Sequence, residues 1–425
     1  MSALATPLSI PEATAVPGLG ALGDVPAVLI LNMYHSGLGI ARALSGKGMR
    51  VVGLSADPKI YGNFTRFCEV RRAPNSQDAP KELLETLRNM VDEFDGAVVF
   101  PTRDADVLFL DQFRSELEMY CLAIPAKDAL WRAMDKYRLV LAARESGVPT
   151  PRTVEVGSAR DLKVAASEVG FPCVLKPIRA YQWRIGDAWH QVGARKAVVA
   201  NNLEELRNEY AKVSSVTPHI LVQEWVPGSD GNIVILGGYA SHTSELVSYF
   251  TARKLLQSPS GCGTGCIVES EYIPEIVEHS RKLLRALRYQ GIAEVEYKLD
   301  AASGEFKLIE INTRHWDQHQ LGQASGINVT WVAYCDLTGG VVPMTQPPIL
   351  PVKWIAEETL FIHALRALYR GEMSMRDLWQ KLSGRKVYSI FAWNDPIPAL
   401  RYGMTVVVPE IAAAIAKKLW KGKSL

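Results

Sequence analysis

The sequence predicts a parallel α/β sheet followed by an antiparallel α+β unit, and three observations carry that prediction. Apolar runs at 27–32, 50–54 and 97–101 alternate with helix-like stretches in the first part of the chain. Strand-like runs at 174–176, 196–199, 219–224, 232–237, 245–251 and 266–269 then follow, several of them with no helix between. Two alternating runs, 293–299 (AEVEYKL) and 306–312 (FKLIEIN), flank a turn-forming stretch. Continuous apolar strands separated by helices mark a parallel sheet covered on both faces. Consecutive strands without crossovers mark antiparallel pairing.

A chain of 425 residues is too long for one ordinary core. Residues 1–24, rich in Ala, Pro, Leu and Gly, read as a disordered tail without the basic start and long apolar run of a secretion signal. A small doubly wound domain occupies 25–125, with a helix at 37–47, and a larger unit spans 126–340. The larger unit opens on a helical bridge, 128–146, stopped by Gly147-Val148-Pro149-Thr150-Pro151, and carries an amphipathic helix at 275–289. After Gly339-Gly340 a Pro-rich linker, 343–351, leads into a helical and extended segment, 341–425. The basic end at 417–423 follows an apolar helix-like run from Ile411 and reads as a solvated helix end rather than a peripheral membrane contact.

Hydrophobic residues at 48% and charged residues at 22% are ordinary for a globular protein, and a net charge of +2 gives no basic face for nucleic acid. Six cysteines in no metal-binding spacing fit reduced thiols in a cytoplasmic protein. No run approaches the ~20 apolar residues of a membrane span.

The hairpin is where chemistry concentrates. If its strands pair around 300–305, with Gly304 free to take positive φ, Glu296 falls opposite Glu310 or one residue away. Asn312 shares the face of Glu310. Like charges facing each other across a sheet repel, and burial raises the cost. A divalent cation removes the conflict, since two carboxylates and an amide oxygen form a hard, oxygen-only donor set suited to Mg²⁺. A solvated hairpin, with Lys298 and Lys307 beside the acids, is the competing reading. The run Glu310-Ile311-Asn312-Thr313-Arg314 weighs against it, because acid, amide and guanidinium recur at alternate positions.

Glu296-Tyr297 followed by Leu308-Ile309-Glu310-Ile311-Asn312-Thr313-Arg314 resembles the metal-binding end of the ATP-grasp superfamily, as in biotin carboxylases and carbamoyl-phosphate synthetases. The resemblance implies an ATP-grasp fold behind a Rossmann-like first domain, with ATP held through two Mg²⁺ (or Mn²⁺) on Glu296, Glu310 and Asn312. Upstream, Asp135-Lys136 resembles the pair whose lysine reaches the ATP phosphates. Lys176, ending an apolar strand before Pro177, resembles the second phosphate lysine. Glu224, Trp225 and Val226 resemble the hinge that addresses adenine, with Asp230 for the ribose. Arg253-Lys254 and the Gly-rich 259–265 stand where relatives place basic residues near phosphate and acceptor.

The lid departs from the family pattern: 178–187 carries two arginines and two large aromatics but one glycine. The basic loop and Arg314-His315-Trp316-Asp317 resemble the carboxylate–amine ligase branch, including D-aspartate ligase-like proteins. That branch implies an amide bond formed through an acyl phosphate from a small carboxylate and an amine, one of them an amino acid. Arg314, Lys254 and Arg253 would be the catalytic cations, and His315, Trp316, His319 and Arg184 would line the substrate pocket. A homodimer is compatible with the family. Two other readings stay open at this point. Ser36-Gly37-Leu38-Gly39 with Asp57 is a partial dinucleotide fingerprint, as in a nicotinamide-dependent oxidoreductase, and a silent nucleotide-binding protein would keep the same residues.

Overall fold

Strands β1 (Val28–Leu31), β2 (Val51–Ser55), β3 (Glu69–Arg72), β4 (Val98–Pro101) and β5 (Cys121–Leu122) form a parallel sheet in the order β3-β2-β1-β4-β5. The computed structural model describes residues 25–184, 186–258, 263–343 and 351–410. The expected tail 1–24, loop residues 259–262, linker residues 344–350 and the basic end 417–423 therefore lie outside the described residues. β1, β2 and β4 are buried along their whole length, as their unbroken apolar runs require. The first helix, His35–Ala43, stops earlier than the expected 47 because Gly46 and Gly48 take φ of +72° and +93°.

The expected bridge 128–146 is two helices, Lys127–Met134 and Lys136–Glu145. Asp135 leaves helical geometry between them, and its carboxylate caps the second helix by accepting from Arg138 N at 3.1 Å. Next, β6 (Thr153–Val156), β7 (Cys173–Pro177), β8 (Val198–Ala200) and β9 (Ile220–Glu224) form an antiparallel sheet in the order β6-β9-β7-β8. β6 escaped the sequence reading because it is four residues long and half-exposed.

The third sheet holds β10 (Ile233–Ala240), β11 (Leu246–Ser258), β12 (Thr264–Ser270), β13 (Gly291–Leu299), β14 (Phe306–Asn312), β15 (Lys353–Ile355) and β16 (Lys386–Tyr388). Their order is β14-β13-β10-β11-β12-β15-β16, antiparallel except between β15 and β16. β15 pairs with β12, so this sheet crosses the boundary expected at 340. The later segment is also tied to the first domain: buried Asp395 holds Arg42 at 3.0 Å and accepts from Thr65 Oγ1 at 2.7 Å. Helix Pro274–Leu287 covers one face of the large sheet with Ile276, Val277, Leu283, Leu284 and Leu287. On the other face Ile235, Phe250 and Trp316 share a core with Val28, Ile30 and Phe100 of the parallel sheet.

Candidate active site

A cleft between the three sheets collects most of the expected residues. Its floor is the hairpin of β13 and β14, where Glu296 stands directly opposite Glu310 and Glu294 opposite Asn312. The assumed register is therefore the observed one, with an irregularity only beyond Glu296. Glu294 was missed by sequence reading, although it lies two residues from Glu296 and so on the same face. It is 4% exposed, accepts from Asn312 Nδ2 at 2.8 Å, and lines the cleft. Burial pushes its carboxyl up to about 7, with Lys254 opposing and Glu296 adding to the rise.

Three lysines reach this floor from three elements. Lys136 heads its helix and meets Glu310 at 3.1 Å. Its charge, against burial and with the help of Lys176, holds Glu310 well below the usual carboxylate range. Lys176, on β7, donates to Gln223 Oε1 at 2.9 Å, and burial together with the charge of Lys136 lowers it to about 8. Lys254, on β11, pairs with Glu296. Burial lowers the lysine, but Glu296 and Glu294 outweigh that and leave it raised. The acids are thus engaged by lysines, and among the described residues no three His, Cys, Asp or Glu side chains stand together as a ready-made metal cluster.

At one end of the cleft Arg314 Nε donates to Asp104 Oδ1 at 2.7 Å, and Arg184 lies 3.6 Å from Asp104 Oδ2. Asp104 opens helix Asp104–Gln112 three residues beyond β4. An anion at a helix start, past the carboxyl end of a parallel strand, was a readable signal that the sequence analysis did not use. Burial raises Asp104, but Arg314 and Arg184 more than offset it and hold the group low.

Trp225 and Val226 line the cleft as expected, and Lys298 Nζ lies 4.8 Å from the centre of the Trp225 ring. Glu224 also borders it, but its carboxylate accepts from Arg152 N at 3.0 Å and Lys307 Nζ at 3.1 Å, so its side chain braces the hinge. In the lid Trp183 is 1% exposed and belongs to the core of the four-stranded sheet. Arg179 turns to Asp135 at 3.3 Å and over the Trp131 ring at 5.1 Å.

Four expected site residues are corrected. Asp230 is outside the cleft lining and accepts from Gln257 N at 2.8 Å and Gln257 Nε2 at 3.2 Å, so its carboxylate is committed to β11. Arg253 points away because neighbours on a strand face opposite sides, and it grips Glu271 at 2.6 Å while Lys254 points in. His315 and His319 are 1% and 2% exposed and do not line the cleft. His315 Nε2 meets Thr330 Oγ1 at 2.9 Å and His319 Nδ1 meets the Trp316 carbonyl at 2.7 Å, so both are core residues. Trp316 stacks on Phe250 with ring centres 5.9 Å apart and still borders the cleft.

Residues 262–334 match the family model described as the carbamoyl-phosphate synthase L chain, ATP binding domain. The D-aspartate ligase of Enterococcus faecium is 23% identical over 228 residues, covering 52% of this chain and 53% of the relative. A D-alanine–D-alanine ligase of Ectopseudomonas mendocina is 27% identical over 185 residues, covering 43% and 55%. The chain thus spans about half the length of the curated relatives it matches. Its fold is that of biotin carboxylase from Campylobacter jejuni, solved with β-γ-ATP, at a TM-score of 0.62, 18% identity and coverage of 75% of this chain and 72% of that one. With a lysine-bridged carboxylate hairpin behind a Rossmann-like sheet, this chain has the biotin-carboxylase fold and is similar in sequence to these two ligases over about half its length.

Proposed function

We propose that this protein is an ATP-dependent ligase that joins a small carboxylate to an amine, one of them an amino acid, through an acyl phosphate. The observation that carries this reading is the single cleft in which Glu294, Glu296, Glu310 and Asn312 face Lys136, Lys176 and Lys254, with Arg314 at its end. A site that must gather phosphate charge needs that many cations, and the facing acids need a dication of their own.

The donor chemistry fits Mg²⁺. Glu296 and Glu310, with Asn312 and Glu294, supply only hard oxygens, and Glu294, raised first by burial and further by Glu296, is a carboxyl whose charged form a dication would favour. Bound there, Mg²⁺ would neutralise phosphate charge. Lys136 and Lys176 hold the ATP phosphates, and Trp225 and Val226 border the adenine. The substrate carboxylate oxygen forms a bond to the γ-phosphorus as the bond to the β,γ-bridging oxygen breaks, leaving ADP. Arg314 orients that carboxylate and then the acyl phosphate. The amine nitrogen next bonds to the acyl carbon, phosphate leaves, and the nitrogen gives up a proton. Positioning and charge neutralisation supply the acceleration.

The test is ADP release with pooled amino acids and small carboxylic acids. Mg²⁺-dependent ADP formation that requires both substrate classes and disappears in Glu310→Gln is the expected result. A nicotinamide-dependent absorbance change without any ATP requirement would refute the proposal.

A further inference from the structure

The turn that follows Arg314 is folded into the core except at one acid. His315, Trp316, Gln318, His319 and Gln320 are each 5% exposed or less. Asp317, in their midst, is only half-buried and lines the cleft. Both of its neighbours are fixed: Trp316 stacks on Phe250, and Gln318 Nε2 donates to the Gly265 carbonyl at 3.4 Å. Packing on either side therefore holds the Asp317 carboxylate in the cleft.

The other cleft acids are already engaged. Lysines hold Glu296, Glu310 and Glu224, Asn312 donates to Glu294, and Arg314 holds Asp104. Asp317 has the Ser36 hydroxyl at 3.4 Å and, among the described residues, no cation within ion-pair distance. That bond is long for O–H···O, so it is a weak structural reason for an acid at this position. A carboxylate in a cleft without a counter-charge is a site for a cationic hydrogen-bond donor.

The proposed reaction brings one. An amine substrate is largely an ammonium at neutral pH and cannot attack until it loses a proton. Asp317 follows Arg314 by three residues, and its charge helps to keep that guanidinium protonated, behind the larger effect of Asp104. The free carboxylate thus lies at the end of the cleft where Arg314 would hold the acyl phosphate. We propose, on the basis of the ligase reading, that Asp317 is a catalytic residue of the amide-forming step, holding the substrate ammonium beside Arg314 and accepting the proton that the nitrogen gives up. One ammonium proton goes to solvent before attack. As the C–N bond forms and the bond from the acyl carbon to the phosphate oxygen breaks, a second moves from nitrogen to Asp317 and on to the departing phosphate.

Hydroxylamine separates this step from the one before it. Being a neutral nucleophile at neutral pH, it needs no ammonium site and captures an acyl phosphate as the hydroxamate. The protein is incubated with ATP, Mg²⁺ and pooled amino acids and small carboxylic acids, with and without hydroxylamine. Asp317→Asn should keep hydroxamate formation within about twofold, while ADP release without hydroxylamine falls about 100-fold or more. Asp317→Glu, which retains a carboxylate, should recover about tenfold of that loss. Rates are compared at equal folded fraction, read by thermal melting. Absence of both ADP and hydroxamate with the native protein would overturn the ligase reading and this role with it. Hydroxamate from the native protein, with both products lost alike in Asp317→Asn or ADP release intact there, would overturn the role of Asp317 alone.

Discussion

Replacing Lys254 with Met isolates the electrostatics of the cleft floor. The Lys254–Glu296 pair is buried, with side chains 6% and 12% exposed, and Glu294 lies beside it. Met keeps most of the volume and removes the charge, leaving two buried carboxylates close together without their nearest cation. Removing one partner of a buried pair costs about 3–5 kcal/mol. In a chain of this size that corresponds to a drop in Tm of about 3–6 °C. The sign in pH follows from the raised lysine: the contribution is complete below its ordinary value of 10.5 and is lost only as pH rises through the higher folded value. Thermal melting at neutral pH, in chelator and in Mg²⁺ alone, measures both halves of the argument. The variant should melt lower in chelator and recover more with Mg²⁺ than the native protein, because the dication no longer competes with a lysine for Glu296. An unchanged Tm in chelator, or equal stabilisation of both proteins by Mg²⁺, would refute the reasoning.

Asp104→Asn removes the anion shared by Arg314 and Arg184, and kcat/KM for the carboxylate substrate should fall about 10–100-fold while KM for ATP holds; steady-state kinetics with each substrate varied separates the two. His319 is pushed down to about 4 by burial from an ordinary 6.5, so the unfolded chain takes up a proton that the folded chain refuses between those values. Stability is therefore complete above that window and falls by up to about 3 kcal/mol as pH drops through it; His319→Gln should flatten this part of the Tm–pH curve, and an unaltered slope would contradict the assignment. At Gly237 an added Cβ would lie 2.1 Å from Trp316 Cζ2, so Gly237→Ala should cost about 1–3 kcal/mol or more by overpacking, visible as a lower Tm and altered tryptophan fluorescence.

Local pattern was enough to read the parallel sheet, the hairpin and its facing acids Glu296 and Glu310. Buried strands such as Val28–Leu31 are apolar without interruption, and the alternation of 306–312 puts Glu310 and Asn312 on one face whatever surrounds them. Lys176 was legible because it ends an apolar strand before Pro177, whereas Lys136 was read only through the resemblance of Asp135-Lys136. Which polar residues face the cleft was decided only by the tertiary structure. Arg253 and Lys254 are neighbours in sequence, yet the set of β11 between β10 and β12 turns one outward to Glu271 and the other inward to Glu296. His315 and His319 look like site residues beside Arg314 until the 315–319 turn is seen folded into the core shared with the parallel sheet. Asp104 meets Arg314 across 210 residues of chain, a pairing created by packing the first sheet against the third. A strand's alternation is set by its own backbone, whereas the partner a side chain meets depends on how sheets pack, and no single segment carries that information.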